Sequence, residues 1–190
     1  MDEPAPPAGK SSREIIIGQA YQVFRQQGYY HTTMADIGQA CGLLKGSIYH
    51  HFASKEELME QVLEMAYGLF KQEVFQLAAD ADVPARKRLE RVLAALDAFY
   101  FEELGGCVMA LTGLETANRI PAFTRIIRQF FTEWIESFTA LFAGSYDPEK
   151  ARQLGQYTVQ EIEGAIMLAC IFGDKQYFTA TRQRVLSYLS

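Results

Sequence analysis

The sequence predicts an all-α protein of about nine helices. Three observations carry that prediction. Ser11 with Glu14, Thr33 with Asp36, and Ser54 with Glu57 each form an S/T-x-x-E/D box, in which the first side chain accepts from a free backbone N–H and the acid reaches back. Apolar residues follow each box at helical spacing, as in Ile16, Ala20, Val23 and Phe24. No segment alternates apolar and polar residues as a half-buried strand would, and 6 prolines and 14 glycines are too few for a turn-rich β fold.

Taken in order, the first helix ends at Gly28 and the second at Gly42, glycines free to adopt positive φ. Leu58, Val62, Met65, Ala66, Leu69 and Phe70 mark a long fourth helix from about Lys55 to Ala79. Pro84 opens a fifth, whose apolar face is Leu89, Val92, Leu96, Phe99 and Tyr100. Gly105-Gly106 breaks the chain before a short helix from about Cys107 to Asn118. Pro121 opens a seventh that ends near Ala143 and reads as apolar nearly all round, which puts it at the centre of a bundle. Asp147-Pro148 caps an eighth running to about Phe172, and Gly173-Asp174 separates it from a last helix, roughly Lys175 to Leu189.

Composition narrows the classes. A length of 190 residues suits one large or two small domains, and 49% hydrophobic content supplies a core. The 3 cysteines have no metal-like spacing, which argues against a disulfide framework or a zinc site and for a reduced, cytoplasmic setting. Residues 1–10 are Pro/Ala-rich and acidic and read as a disordered arm, lacking the basic and apolar regions of a signal peptide. No run reaches the roughly 18 apolar residues of a membrane span, so no membrane partner is expected. The net charge of −5 is uneven: between Lys10 and Lys55 stand Lys10, Arg13, Arg25, Lys45 and Lys55 against only Glu14 and Asp36. All 3 histidines, His31, His50 and His51, also lie there. This mild asymmetry favours an anionic partner.

The stretch from Thr32 to Phe52 encodes a helix of about two turns, a tight turn at Gly42 and a second short helix. Ile37, Ala40, Leu43, Ile48 and Phe52 can form a small shared core. The second helix then turns Lys45, Gly46, Ser47, Tyr49 and His50 outward. This is the composition of a DNA-reading helix: a cation for phosphate or guanine, small residues for close approach, and aromatic and hydroxyl groups for backbone and thymine methyls. Thr32 and Thr33 open the preceding helix, whose N-terminal N–H groups attract a phosphate, and Lys55 offers another cation. The same helix–glycine–helix outline also fits an ordinary αα-corner with a solvated face.

The order of residue types separates these readings. The Ala20…Phe24…Gly28-Tyr29 spacing, the Thr-Thr pair and the Gly turn are followed by Lys45-Gly46-Ser47-Ile48-Tyr49-His50-His51-Phe52 and Ser54-Lys55-Glu56-Glu57-Leu58. From Arg13 to Leu58 the chain resembles the DNA-binding domain of the TetR family of transcription regulators. The resemblance implies a helix-turn-helix domain over 11–58, a ligand-binding and dimerisation domain over 59–190, and DNA contacts at Thr32, Thr33, Lys45, Gly46, Ser47, Tyr49, His50 and Lys55. Leu44 departs from the pattern, standing where the family usually has a small polar residue that caps the recognition helix.

For the second half the resemblance implies a pocket for a small apolar or amphipathic effector. Tyr67, Phe70, Phe99, Tyr100, Cys107, Thr112, Phe130 and Trp134 are the pocket candidates, with Thr112, Glu115, Asn118, Gln129 and Glu133 as polar anchors. For any single aromatic core packing is the plainer account, and for each polar residue a solvated surface is. Cys107, at a helix start where the dipole lowers a thiol pKa, supports an alternative regulator that senses oxidants or electrophiles; Cys41 and Cys170 read as packing residues.

Ile162, Ala165, Ile166, Ala169, Phe172, Phe178 and Val185 are the dimer-interface candidates, pairing the last two helices of two copies into a four-helix bundle. The implied mechanism is a homodimeric repressor on a near-palindromic double-stranded operator, released by an unidentified small molecule. The sequence leaves the sign of the ligand effect open. No metal, cofactor or catalytic group is expected: no nucleophile–base pair or phosphate loop stands out, so an enzyme is disfavoured, and the Lys45–Phe52 segment argues against a helical module without DNA binding.

Overall fold

The structure is a computed structural model that describes residues 12–101, 106–117 and 119–189. The expected arm, the Ser11 half of the first box, Gly105 and Asn118 lie outside the described residues. Among those described the protein is all-helical. Its helices are α1 (Ser12–Gln27), α2 (Met34–Cys41), α3 (Lys45–His51), α4 (55–79), α5 (Ala85–Phe101), α6 (Val108–Thr116), α7 (Pro121–Phe142), α8 (Pro148–Phe172) and α9 (Gln176–Ser187). No described helix is long and apolar enough to cross a membrane.

Local chemistry sets the boundaries. Thr33 and Asp36 form a reciprocal capping box: Asp36 N–H donates to Thr33 Oγ1 at 3.2 Å, and Thr33 N–H donates to Asp36 Oδ2 at 2.8 Å. The Thr33 N–H and hydroxyl, both donating to it, hold the exposed Asp36 carboxyl below its ordinary pKa. The Ser54 box is shifted by one residue. Ser54 Oγ accepts from Glu57 N–H, while the Glu57 carboxylate takes the Ala53 N–H instead of that of Ser54. Asp147 caps α8 through Lys150 N–H, Pro148 occupies its first turn, and Gly173 ends it at φ 65°.

Two features depart from the sequence expectation. α4 contains a π-helical turn, Lys71–Phe75, between Lys55–Phe70 and Gln76–Ala79. α7 is amphipathic and not apolar all round: Phe123, Ile126, Phe130, Trp134, Phe138 and Leu141 are buried, whereas Arg125, Arg128, Gln129, Thr132 and Glu136 are exposed. The polar residues recur at helical spacing and so gather on one side.

By its contacts the chain groups into two compact units, 12–66 with 108–126 and 67–107 with 127–189. In the first, Ile16, Ala20, Phe24, Ile37, Ile48, Phe52, Leu58 and Val62 are buried together with Phe123. Each large apolar side chain so buried contributes about 1.5–3 kcal/mol, offset by the conformational entropy lost. The second unit has an aromatic core centred on Phe70, whose ring lies 4.8 Å from Phe130, 4.9 Å from Trp134, 5.3 Å from Phe99 and 6.3 Å from Tyr100. There α8 crosses α7 closely at Gly155, where a Cβ would stand 2.9 Å from the Ile135 carbonyl oxygen and from Thr139 N.

Candidate nucleic-acid interface

The turn between α2 and α3 is built on two glycines. Gly42 sits at φ 69°, its N–H on the Gln39 carbonyl, and Leu43 N–H closes onto the Gly38 carbonyl at 2.8 Å. A Cβ on Gly38 would meet the Leu43 carbonyl oxygen at 2.9 Å, so α3 can follow α2 this tightly only over glycine. Sequence reasoning used Gly42 and passed over Gly38, because a glycine inside a helix gives no signal of what crosses it.

α3 buries Ile48, and Phe52 at its C-cap, and turns its other side outward. Lys45, Gly46, Tyr49 and His50 are exposed and Ser47 is half-buried; Lys45 Nζ lies 5.8 Å from the Tyr49 ring centroid. These five candidates therefore share one short, accessible helix. Leu44 is the N-cap, makes no side-chain cap bond and is 81% exposed. The start of α3 is held by backbone alone, Ser47 N–H reaching the Leu44 carbonyl at 2.9 Å.

The remaining candidates are placed differently. Thr33 is exposed at the N-cap of α2, but Thr32 is fully buried and its hydroxyl donates to the Gly28 carbonyl at 2.7 Å. Its side chain is a tie within the α1–α2 loop, which leaves backbone groups for any phosphate. Lys55 is also committed: Nζ donates to the Tyr29 carbonyl at 2.7 Å and the Thr32 carbonyl at 2.9 Å, and lies 4.4 Å from the Tyr29 ring centroid. Desolvation lowers its pKa, and the nearby Glu115 charge opposes that shift.

Glu115 was expected in an effector pocket or on a solvated surface. It instead accepts the Tyr29 backbone N–H at 2.6 Å, and a Cβ on Gly28, itself at φ 82°, would collide with its carboxylate. Arg13 is likewise structural, its guanidinium 4.6 Å from the Phe52 ring centroid and hydrogen-bonded to Gln61.

In the second unit, Phe70, Phe99, Tyr100, Phe130 and Trp134 come together, and Tyr67 joins them through Phe130 at 6.0 Å. Cys107 is buried beside Tyr100, whose hydroxyl donates to Sγ at 3.6 Å. Thr112 belongs to the first unit and is buried there. Glu133, beside the Tyr67 hydroxyl and ion-paired with Lys71 at 3.0 Å, is held below its ordinary pKa.

The dimer candidates divide by exposure. Ile162, Ala165, Ile166, Ala169, Phe178 and Val185 are all buried within the single chain, and only Phe172 is exposed. Helical periodicity found the apolar stripe of α8 that serves its own protomer. The accessible stripe is Tyr157, Gln160, Gly164, Met167 and Ile171, at alternating spacings of three and four.

A pair of short helices joined by a tight glycine turn, the second exposed along its outer face, defines the helix-turn-helix class of DNA-binding regulator. Two family descriptions match the chain: "Bacterial regulatory proteins, tetR family" over residues 16–62, and "Transcriptional regulator LmrA/YxaF-like, C-terminal domain" over residues 85–184. The chain belongs to the TetR family of bacterial transcription regulators. It is 26% identical over 163 residues to the HTH-type transcriptional repressor DhaR of Mycobacterium sp. (strain GP1), covering 82% of this chain and 80% of that protein. It is 29% identical over 168 residues to the uncharacterized regulator YxaF of Bacillus subtilis (strain 168), covering 86% and 87%. A TetR transcriptional regulator from Legionella pneumophila has the same fold, with a TM-score of 0.86 at 19% identity over 94% of this chain and 97% of the other. This family comprises regulators and not enzymes.

Proposed function

We propose that the chain is a homodimeric repressor that occupies a near-palindromic operator through α3 and leaves it when a small molecule binds in the second unit. The observation that carries the reading is the outward face of α3, where Lys45, Gly46, Tyr49 and His50 are all accessible opposite the buried Ile48. Lys45 and Tyr49 suit phosphate and base-edge contacts, Gly46 permits close approach, and Leu44 supplies an apolar surface for a thymine methyl. Thr33 brings the N-terminus of α2 to a backbone phosphate. The repressor sense is supported by the name of the relative DhaR.

Two copies pair through the exposed stripe of α8, with Gly164 open for close approach, since a Cβ there would meet nothing within 4 Å. Two-fold pairing sets the two α3 helices in major grooves about 34–36 Å apart, or a multiple of that. The effector acts by binding one of two conformations better than the other.

The alternative of thiol sensing at Cys107 gains no support over this reading. The thiol is buried and faces the carboxyl of Glu163, where an activated thiolate needs a cation. The test of the main reading is binding to random duplex DNA as salt is varied. Wild type loses affinity steeply with salt, and Lys45→Ala flattens the slope by about 0.9; a slope unchanged by Lys45→Ala removes α3 as the reading head.

A further inference from the structure

We propose that Glu163 is the polar recognition point for the effector, its Oε1 accepting a hydrogen bond from an ammonium or hydroxyl group carried on an aromatic molecule. The inference rests on the effector reading above and names the chemistry of that site.

Glu163 lies on α8, and its Oε1 is inaccessible to solvent without a hydrogen-bond partner among the described residues. The neighbour its carboxyl does have is weak: the Cys107 thiol, which in turn takes the Tyr100 hydroxyl at 3.6 Å. Burial outweighs that contact and pushes the carboxyl up to about 7. A buried acceptor left unpaired costs about 1–3 kcal/mol, and native interiors keep few of them. Such an atom marks where a partner from outside the chain fits.

A second observation points to the same place. Trp134 is fully buried, and its Nε1–H has no acceptor among the described residues. The two orphans are linked by continuous contact: Trp134 to Phe70 at 4.9 Å, Phe70 to Tyr100 at 6.3 Å, Tyr100 to Cys107, and Cys107 to Glu163. The π-helical turn begins directly after Phe70 and brings Phe75 to 5.2 Å from the same ring. Such extra-residue turns recur at functional sites.

An orphan acceptor, an orphan donor and a run of rings between them describe the ligand. Its body is aromatic and stacks in the cluster; one end donates to Glu163, and an acceptor along its length meets Trp134. An anionic effector is disfavoured, because it brings no donor for the Glu163 acceptor and burying its charge there carries the same desolvation cost that raises the Glu163 carboxyl.

The experiment is calorimetric titration of the full chain with naphthylmethylammonium, naphthol, methoxynaphthalene and naphthoate, alongside operator release by each probe. Wild type binds the ammonium or the hydroxyl probe, whichever donor the site takes, about tenfold tighter than methoxynaphthalene, with naphthoate weakest. Glu163→Leu abolishes that preference while still binding methoxynaphthalene, which shows the variant is folded. Glu163→Gln spares a preference for naphthol but removes one for the ammonium, separating the two donors. Equal binding of all four probes, or preferences unchanged in Glu163→Leu, overturns Glu163 as the recognition point, and no binding by any probe overturns the aromatic site as well. Glu163-dependent binding that never releases the operator supports the site and counts against the effector reading alone.

Discussion

The carboxylate of Glu115 in α6 accepts the backbone N–H of Tyr29 at 2.6 Å and stands beside Lys55, whose ammonium holds the carbonyls of Tyr29 and Thr32. Two elements distant in sequence, α4 and α6, thereby fix the α1–α2 loop, and the loop sets Thr33 at the start of α2. Glu115→Ala leaves the Tyr29 N–H unpaired and removes the charge that offsets Lys55. The expected cost is about 1–3 kcal/mol, seen as a melting temperature lower by several degrees, together with weaker operator binding. An unchanged melting temperature shows that the clasp is dispensable.

Lys45 and Lys55 separate by what each cation touches. Lys45→Ala lowers DNA affinity and leaves the stability within about 0.5 kcal/mol of wild type, because the side chain is exposed. Lys55→Ala lowers both, since it releases two loop carbonyls. Thermal denaturation beside DNA titration distinguishes the pair, and identical profiles for the two variants contradict the assignment.

Leu44 caps α3 without a side-chain bond, so Leu44→Ser supplies the missing acceptor for an N-terminal N–H. The expected gain is about 0.5–2 kcal/mol in stability. The operator preference shifts as well, because an exposed apolar group leaves the reading face. Both follow from melting and competition binding on the same preparations.

Glu163 makes stability depend on pH with a definite sign. Its carboxyl is raised from 4.5 to about 7, so between those values the native state holds a proton that the unfolded chain has lost. Stability therefore falls as pH rises through this window and levels off above about 7. The total is of the order of 3 kcal/mol. Glu163→Gln removes the dependence, so melting curves from about pH 5 to about pH 8 converge at the acidic end and separate at the neutral end. Parallel curves contradict the burial of this carboxyl.

What was legible in the sequence was local. The Thr33–Asp36 box, the Gly42 turn and the Asp147-Pro148 start are written within a few adjacent residues, and the structure forms each one. Glu115 could not be read this way, because its partner lies 86 residues away and neither residue type announces the other. Which apolar stripe of α8 stays accessible was not legible for a related reason. Periodicity separates apolar from polar stripes, but Ile162, Ala165 and Ile166 serve the protomer's own core, while Met167 and Ile171 stay uncovered. Only the packing of neighbouring helices distinguishes the two stripes. The π-helical turn at Lys71–Phe75 has no residue signature, although the rings at its two ends, Phe70 and Phe75, lie 5.2 Å apart.

The uncovered stripe predicts a monomerising variant. Met167→Glu with Ile171→Glu places like charges where two copies would meet, while disturbing no buried side chain. Sedimentation at micromolar concentration should show a dimer for wild type and a monomer for the variant, with a matching loss of operator affinity. A variant that stays dimeric locates the interface elsewhere.

The central claim, a two-fold regulator reading DNA through α3, is tested most directly by selecting bound sequences from random duplex DNA with the full chain. The account predicts enrichment of an inverted repeat whose half-site centres lie about 10–10.5 base pairs apart, or a multiple, with base preferences altered by Tyr49→Ala and Lys45→Ala. No enrichment, or an enriched site without inverted symmetry that both variants bind unchanged, would contradict it.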